Sequence, residues 1–212
     1  MSEEAPGTKA VDWREIVVVV LLSVTTILTA WVGFQSSKWG GAMSISFSQA
    51  SSARIEANRY ESVVNRKTSL QANLFAQWAA AYADKNTELS DFLADRFPEP
   101  LKTAFRVWMA SKPLQNPDAA PTPFDLPEFA IPEAALATAA DHRADTKYAE
   151  ALRNNQRGDN YTVLTIVFAS VLFFAAMSGR MKSAHGRDVL LGLGIVLFLV
   201  AASLLVLFPK LV

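Results

Sequence analysis

Residues 16–37, IVVVVLLSVTTILTAWVGFQSS, decide the fold. The stretch holds no Asp, Glu, Lys, Arg or His. A helix rises about 1.5 Å per residue and the hydrocarbon core of a bilayer is about 30 Å thick, so about 20 such residues suffice to cross it. Residues 160–179 (NYTVLTIVFASVLFFAAMSG) and 189–209 (VLLGLGIVLFLVAASLLVLFP) share this property. One charged side chain at a span centre costs about 2.5–3.5 kcal/mol on insertion scales. Three charge-free runs are therefore read as three transmembrane helices. The alternative is the buried helices of a soluble protein, but those are usually shorter, and a chain of 212 residues has no interior for three of them. Trp13, Trp31 and Trp39 bracket the first run and Tyr161 opens the second, as amphipathic rings at the headgroup level do.

The first run also invites comparison with a secretory signal, because Lys9 and Arg14 precede it. Its apolar length exceeds the usual ~7–15 residues, and Thr29-Ala30-Trp31 is a poor cleavage site. A retained anchor is expected. The loop at 180–188 carries Arg180, Lys182 and Arg187 against one acid, and short loops rich in Lys and Arg stay in the cytoplasm. The expected order is a cytoplasmic tail (1–15), helix 1 (16–37), an extracytoplasmic helical domain (38–159), helix 2 (160–179), a cytoplasmic loop (180–188), helix 3 (189–209) and an extracytoplasmic end (210–212). The large domain then faces the periplasm or exterior.

Within that domain, residues 42–83 lack Pro and Gly, and Ala50, Ala53, Ala57, Tyr60 and Val64 recur at the spacing of one helix face, as do Leu74, Trp78 and Tyr82. Asn86-Thr87 reads as a cap restarting a short helix, and residues 101–111 (LKTAFRVWMAS) as another. Eight of the ten prolines fall between Pro98 and Pro132, which forces extended or turning backbone there. Pro132-Glu133 opens a second long helix, which either continues into helix 2 or breaks at Gly158-Asp159. The expected fold is an all-α membrane protein: three transmembrane helices with an extracytoplasmic helical hairpin capped by the proline-rich segment 98–132. Phe97, Phe105, Trp108, Phe124 and Phe129 are expected to form the core of that cap, with a partner or ligand surface as their alternative role.

Composition excludes several functions. Lys+Arg and Asp+Glu balance at 20 each, without the basic excess of a nucleic-acid partner. There is no cysteine, which removes disulfide frameworks and thiolate metal sites. The spans carry no ionisable residue, which argues against proton-coupled transport and voltage sensing. His142 and His185 are isolated, and no HExxH, GxSxG or Gly-rich phosphate loop is present, so no catalytic residue, cofactor or firm metal site is expected. Arg157-Gly158-Asp159 spells an adhesion tripeptide by letter only.

Two patterns remain as candidates. Ser23, Thr26, Ala30, Gly33, Ser37 and Gly40 form a stripe of small residues along helix 1, a surface for helix packing, an oligomer axis or a narrow pore. Thr165, Ala169 and Ala176, and Gly194 and Ala201, give weaker versions in helices 2 and 3. Asp84, Glu88, Asp91 and Asp95 make an acidic stripe if the helix is continuous there, a solvated face by default and a weak cation site otherwise.

Thr29-Ala30-Trp31-x-Gly33-Phe34-Gln35 with Trp39-x-Gly41, Phe75-x-x-Trp78 with Ala81-Tyr82, Asn116-Pro117-x-Ala119-x-Pro121-x-Pro123-Phe124, and Ala169-Ser170-x-Leu172-Phe173-Phe174 are the most distinctive motifs. Together they resemble an uncharacterised bacterial family of three-span inner-membrane proteins. The resemblance implies a bacterial inner (cytoplasmic) membrane and brings no activity and no functional residue. The reading is a non-enzymatic scaffold or accessory protein with the lipid bilayer and a protein partner or a homo-oligomer as its contacts. The alternative is an oligomeric channel subunit lined by the helix 1 stripe.

Overall fold

A computed structural model describes residues 13–211. Lys9, most of the tail at 1–15 and the last residue of the 210–212 end lie outside them. Among the described residues every regular element is helical: α1 (Trp13–Ala83), α2 (Thr87–Asp95), α3 (Leu101–Ala110), a 3-10 turn (Pro123–Asp125), α4 (Pro132–Ser178) and α5 (Ala184–Leu207). Three of them, α1, α4 and α5, are long and apolar enough to cross a membrane.

Two helices run further than the charge-free stretches they contain. The 71 residues of α1 join the first apolar run to the Ala-rich arm without a break. The 47 residues of α4 pass through Gly158-Asp159, so the break weighed there does not occur. Glycine in a helix interior costs about 1 kcal/mol relative to alanine. Here its bare backbone serves the approach of α1: a Cβ at Gly158 would sit 3.7 Å from the Ser36 carbonyl oxygen and 3.7 Å from the Trp39 Cβ. The Gly158 carbonyl accepts from Ser36 Oγ at 3.2 Å and from Thr162 Oγ1 at 3.1 Å. Helix α5 starts earlier than its apolar run, at Ala184, because Ser183 caps it and accepts the Gly186 amide at 3.4 Å.

The chain divides into two compact units. The first is the described part of Met1–Phe47 with that of Tyr148–Val212. Its three helices pack through seams of one period. In α1 Leu21, Thr25, Val32, Gln35 and Trp39 are buried, with Leu28 half-buried between them. In α4 the seam is Tyr161, Leu164, Phe168, Val171, Ala175 and Ser178; in α5 it is Leu191, Gly194, Ala201 and Leu205, with Phe198 half-buried. Steps alternating three and four average 3.5 residues, the period of left-handed knobs-into-holes packing. Gly194 and Ala201 thus do pack inward, where a Cβ on Gly194 would lie 3.7 Å from Phe174 and 3.8 Å from Leu21.

Polar groups close both ends of this unit. At one end Arg14 bonds Asp188 at 3.1 Å, joining the starts of α1 and α5. At the other, Gln35 is wholly buried and trades two hydrogen bonds with the backbone of Leu211: its Oε1 accepts the Leu211 amide at 2.9 Å and its Nε2 donates to the Leu211 carbonyl at 3.2 Å. The Tyr161 hydroxyl donates to the Pro209 carbonyl at 3.0 Å, and Arg157 lies over the Trp39 ring at 4.6 Å.

The second unit, Ser48–Lys147, is narrower than the 38–159 stretch marked out in the sequence. Ala50, Ala53 and Ala57 of α1 and Ala137, Ala140 and Ala144 of α4 are among its buried small residues, a residue type that lets helix backbones approach closely. Ion pairs flank them: Arg54 with Asp141 and with Asp145 (2.6 Å), Arg143 with Glu56 (2.7 Å), and Lys67 with Glu133. The Lys67 ammonium, hydrogen-bonded to it, holds the Glu133 carboxyl below its usual range, and the two aspartates raise the Arg54 guanidinium. The remaining core is aromatic. Phe97, Leu101, Phe105 and Trp108 bury against Trp78, and Phe75, Phe124 and Phe129 pack around them. The five aromatics expected to cluster do so, joined by Phe75 and Trp78 from α1. Helix α3 begins after Pro100 with no side-chain cap of its own. Gln71, buried in α1, supplies it: its Oε1 accepts the Leu101 amide at 3.0 Å while its Nε2 donates to the Glu99 carbonyl at 3.3 Å.

Candidate functional site

A cleft of about 500 Å³ lies in Ser48–Lys147 beside the aromatic core. Phe75, Trp78, Ala79, Tyr82 and Ala83 of α1 form one wall; Trp108 and Met109 of α3 with Lys112, Pro113, Leu114 and Gln115 form the other. The wall on α1 follows from residue spacing. Phe75, Trp78 and Tyr82 step by three and four, so their rings lie on one face, with Phe75 and Trp78 stacked at 5.5 Å and Trp78 and Tyr82 at 5.1 Å. Phe105 meets Trp78 edge-on at 4.7 Å, and Phe75 meets Trp108 edge-on at 5.5 Å. These ring contacts join the two walls at Trp108 and pack Phe105 against Trp78.

The opposite wall hangs on the end of α3. Lys112 follows the cap residue Ser111 with φ 53°, the left-handed region. Its amide donates to the Met109 carbonyl at 3.1 Å, and its own carbonyl accepts the amides of Gln115 and Asn116, each at 2.9 Å. The chain therefore reverses at Lys112 and brings Leu114 to the rim. The Trp108 indole N–H is engaged by the Ala120 carbonyl and leaves an apolar ring surface to the cleft. Leu114 is 69% exposed and Tyr82 46%, with Met109 beside them. Lys112 is the one charged residue in the lining, which holds no carboxylate, histidine or hydroxyl other than that of Tyr82. Such a surface suits apolar groups.

The residues singled out in the sequence fall elsewhere. Ser23, Thr26, Ala30, Gly33 and Ser37 are exposed and Gly40 is half-buried. A Cβ on Gly33 or Gly40 would meet nothing within 4 Å. The stripe has the period of the α1 seam but lies one or two positions further along, and each residue turns a helix by about 100°. Apart from Gly40, whose amide nitrogen would lie 3.9 Å from a Cβ on Gly158, it is therefore not the surface on which α1 meets α4 and α5. Asp84, Glu88, Asp91 and Asp95 are also exposed, and they do not share a helix: α1 ends at Ala83, Lys85 turns with φ 58°, and Asn86 caps α2 by accepting the Leu89 amide at 3.1 Å. Only Asp84 is cut off, since Glu88, Asp91 and Asp95 all lie on α2, but no three acidic or imidazole groups converge among the described residues. His142 lines an open groove of about 650 Å³ with Glu56 and Arg143, which pair with each other. Arg157-Gly158-Asp159 lies inside α4 with Gly158 packed on α1, so it cannot be displayed as a loop.

No protein-family model matches the chain, and neither a curated protein nor a solved structure matches it. The likeness to bacterial three-span proteins stands on its motifs alone. The cleft was not visible in the sequence as a site. Phe75-x-x-Trp78 with Tyr82 marked one wall, but Met109, Lys112 and Leu114 carry no pattern that separates them from a turn.

Proposed function

We propose that this is a multi-pass protein of the bacterial inner membrane, without enzymatic activity, whose helical unit lies outside the cytoplasm and holds a protein partner in the aromatic cleft. The cleft carries the reading. It is a shaped apolar hollow, its walls joined by ring contacts, and is open where Tyr82, Met109 and Leu114 are exposed. Interfaces are enriched in just these residue types, with Trp and Tyr as anchors. The bias of Arg14, Arg180, Lys182 and Arg187 supports a cytoplasmic amino terminus and a cytoplasmic α4–α5 loop.

Orientation is tested by single cysteines, since the chain has none of its own. Cysteine at Ser69 should react with a membrane-impermeant maleimide in intact cells, and cysteine at Lys182 should not; the reverse pattern overturns the topology. Partner binding is tested by a photo-crosslinking residue at Leu114. It should yield one discrete adduct that Trp78→Ala abolishes, while the same residue at Arg66 yields none. Failure to form the Leu114 adduct overturns the reading.

A second reading is favoured by the exposed stripe of α1, where Gly33 and Gly40 have open space beside them. Copies of the chain would pack there, around an axis or a pore. Gly33→Leu should then dissociate an oligomer seen by native mass spectrometry and alter any bilayer current. A monomeric wild type removes this reading.

A further inference from the structure

We infer that the segment held in the cleft presents a large apolar side chain next to a carboxylate, and that Lys112 receives the carboxylate. The inference rests on the cleft being the partner site and adds the chemistry of the partner. Three observations converge on it. First, the lining is aromatic and aliphatic on both walls, and about 500 Å³ is room for one or two large side chains. Second, Lys112 is the sole charge in the lining, so the lining itself offers an anion attraction and no carboxylate. Third, the backbone fixes where the Lys112 side chain leaves the chain, at the edge of the apolar hollow. Lys112 occupies a left-handed position at the end of α3, pinned by bonds to Met109, Gln115 and Asn116.

That position favours glycine or asparagine on steric grounds, and a lysine there is a costlier choice. Lys85 takes the same conformation at the end of α1 without lining the cleft. The conformation alone therefore marks nothing. The combination of conformation, sole charge and apolar hollow singles out Lys112. A ligand with a carboxylate several bonds from its apolar group would leave one of the two unserved.

The test uses the full chain in lipid nanodiscs and two probes, dansyl-leucyl-phenylalanine with a free carboxylate and the same dipeptide as its amide. Binding is read by fluorescence anisotropy against empty nanodiscs. The acid should bind about fivefold tighter than the amide, and 1 M salt should erase the difference. Lys112→Gln should bring the acid down to the amide, and Lys112→Arg should keep the preference. Equal binding of acid and amide, binding of neither, or a preference that survives Lys112→Gln in a protein with unchanged thermal midpoint overturns the inference. If the Leu114 photo-adduct persists in any of those cases, the partner site stands and only its acidic chemistry falls. If the adduct is also absent, both fall.

Discussion

The indole N–H of Trp108 donates to the carbonyl of Ala120 at 2.7 Å, and this bond helps tie the proline-rich chain after α3 back to that helix. Prolines lack the amide that would anchor such a stretch by its own backbone. Trp108→Phe keeps most of the ring and removes the bond, so it should destabilise Ser48–Lys147 by about 1–3 kcal/mol. Thermal unfolding followed by near-ultraviolet dichroism measures the loss. An unchanged midpoint would show that Pro123, buried nearby in sequence, and its neighbours hold the stretch without Trp108.

Lys112→Gly relieves a left-handed conformation that costs a side chain about 1 kcal/mol. The variant should therefore be as stable as the parent or more so, while losing the carboxylate preference that Lys112→Arg retains. A fall in stability would mean that the lysine stem covers the aromatic wall and contributes by packing.

Gly158 separates two kinds of helix contact. Alanine there would make ordinary contacts at 3.7 Å with Ser36 and Trp39 and should raise helix stability by up to about 1 kcal/mol. Leucine has no room between α4 and α1 and should destabilise the helix bundle. Resistance to unfolding in sodium dodecyl sulfate reads both, and equal behaviour of the two variants would refute the close approach.

The Lys67–Glu133 pair gives a pH dependence of defined sign. The folded pKa of Glu133 is depressed, so the pair's contribution is fully present above the ordinary carboxylate value of about 4.3 and is lost as pH falls through the folded value. Glu133→Gln should flatten the acid limb of thermal stability below about pH 4.3 and leave the neutral plateau of slope unchanged. The effect is small, since Lys67 is well exposed. An identical acid limb in the variant would remove Glu133 as a contributor.

Much of this architecture is written in local signals. Three charge-free runs, the Asn86 cap of α2, the start of α4 at Pro132-Glu133 and the grouping of Phe97, Phe105 and Trp108 follow from hydropathy, capping and spacing. What stays hidden depends on partners distant in the chain. The seam of α1 could not be phased, because Ile16 to Phe34 is apolar nearly all round and Ser23, Thr26 and Gly33 look more interhelical than Leu21 or Val32. Gly158 reads as a breaker until Ser36 is placed against it. Gln71 reads as a surface residue until the amide of Leu101 arrives. The cleft takes its walls from segments 25 residues apart at their nearest, Phe75 to Ala83 and Trp108 to Gln115, and no short window along the sequence contains both.

The two bonds between Gln35 and Leu211 set an order of assembly. Synthesis delivers α1 first and the residues beyond α5 last. With α1, α4 and α5 in a bilayer, Gln35 must wait at the membrane surface on water alone until the third helix is threaded and the chain beyond it folds back. Tyr161 waits for Pro209 in the same way. A chain stopped before α5 would leave both without acceptors, and a buried amide left so costs about 1–3 kcal/mol. The seat of Gln35 in α1 and that of Tyr161 in α4 are therefore completed only by residues that follow α5.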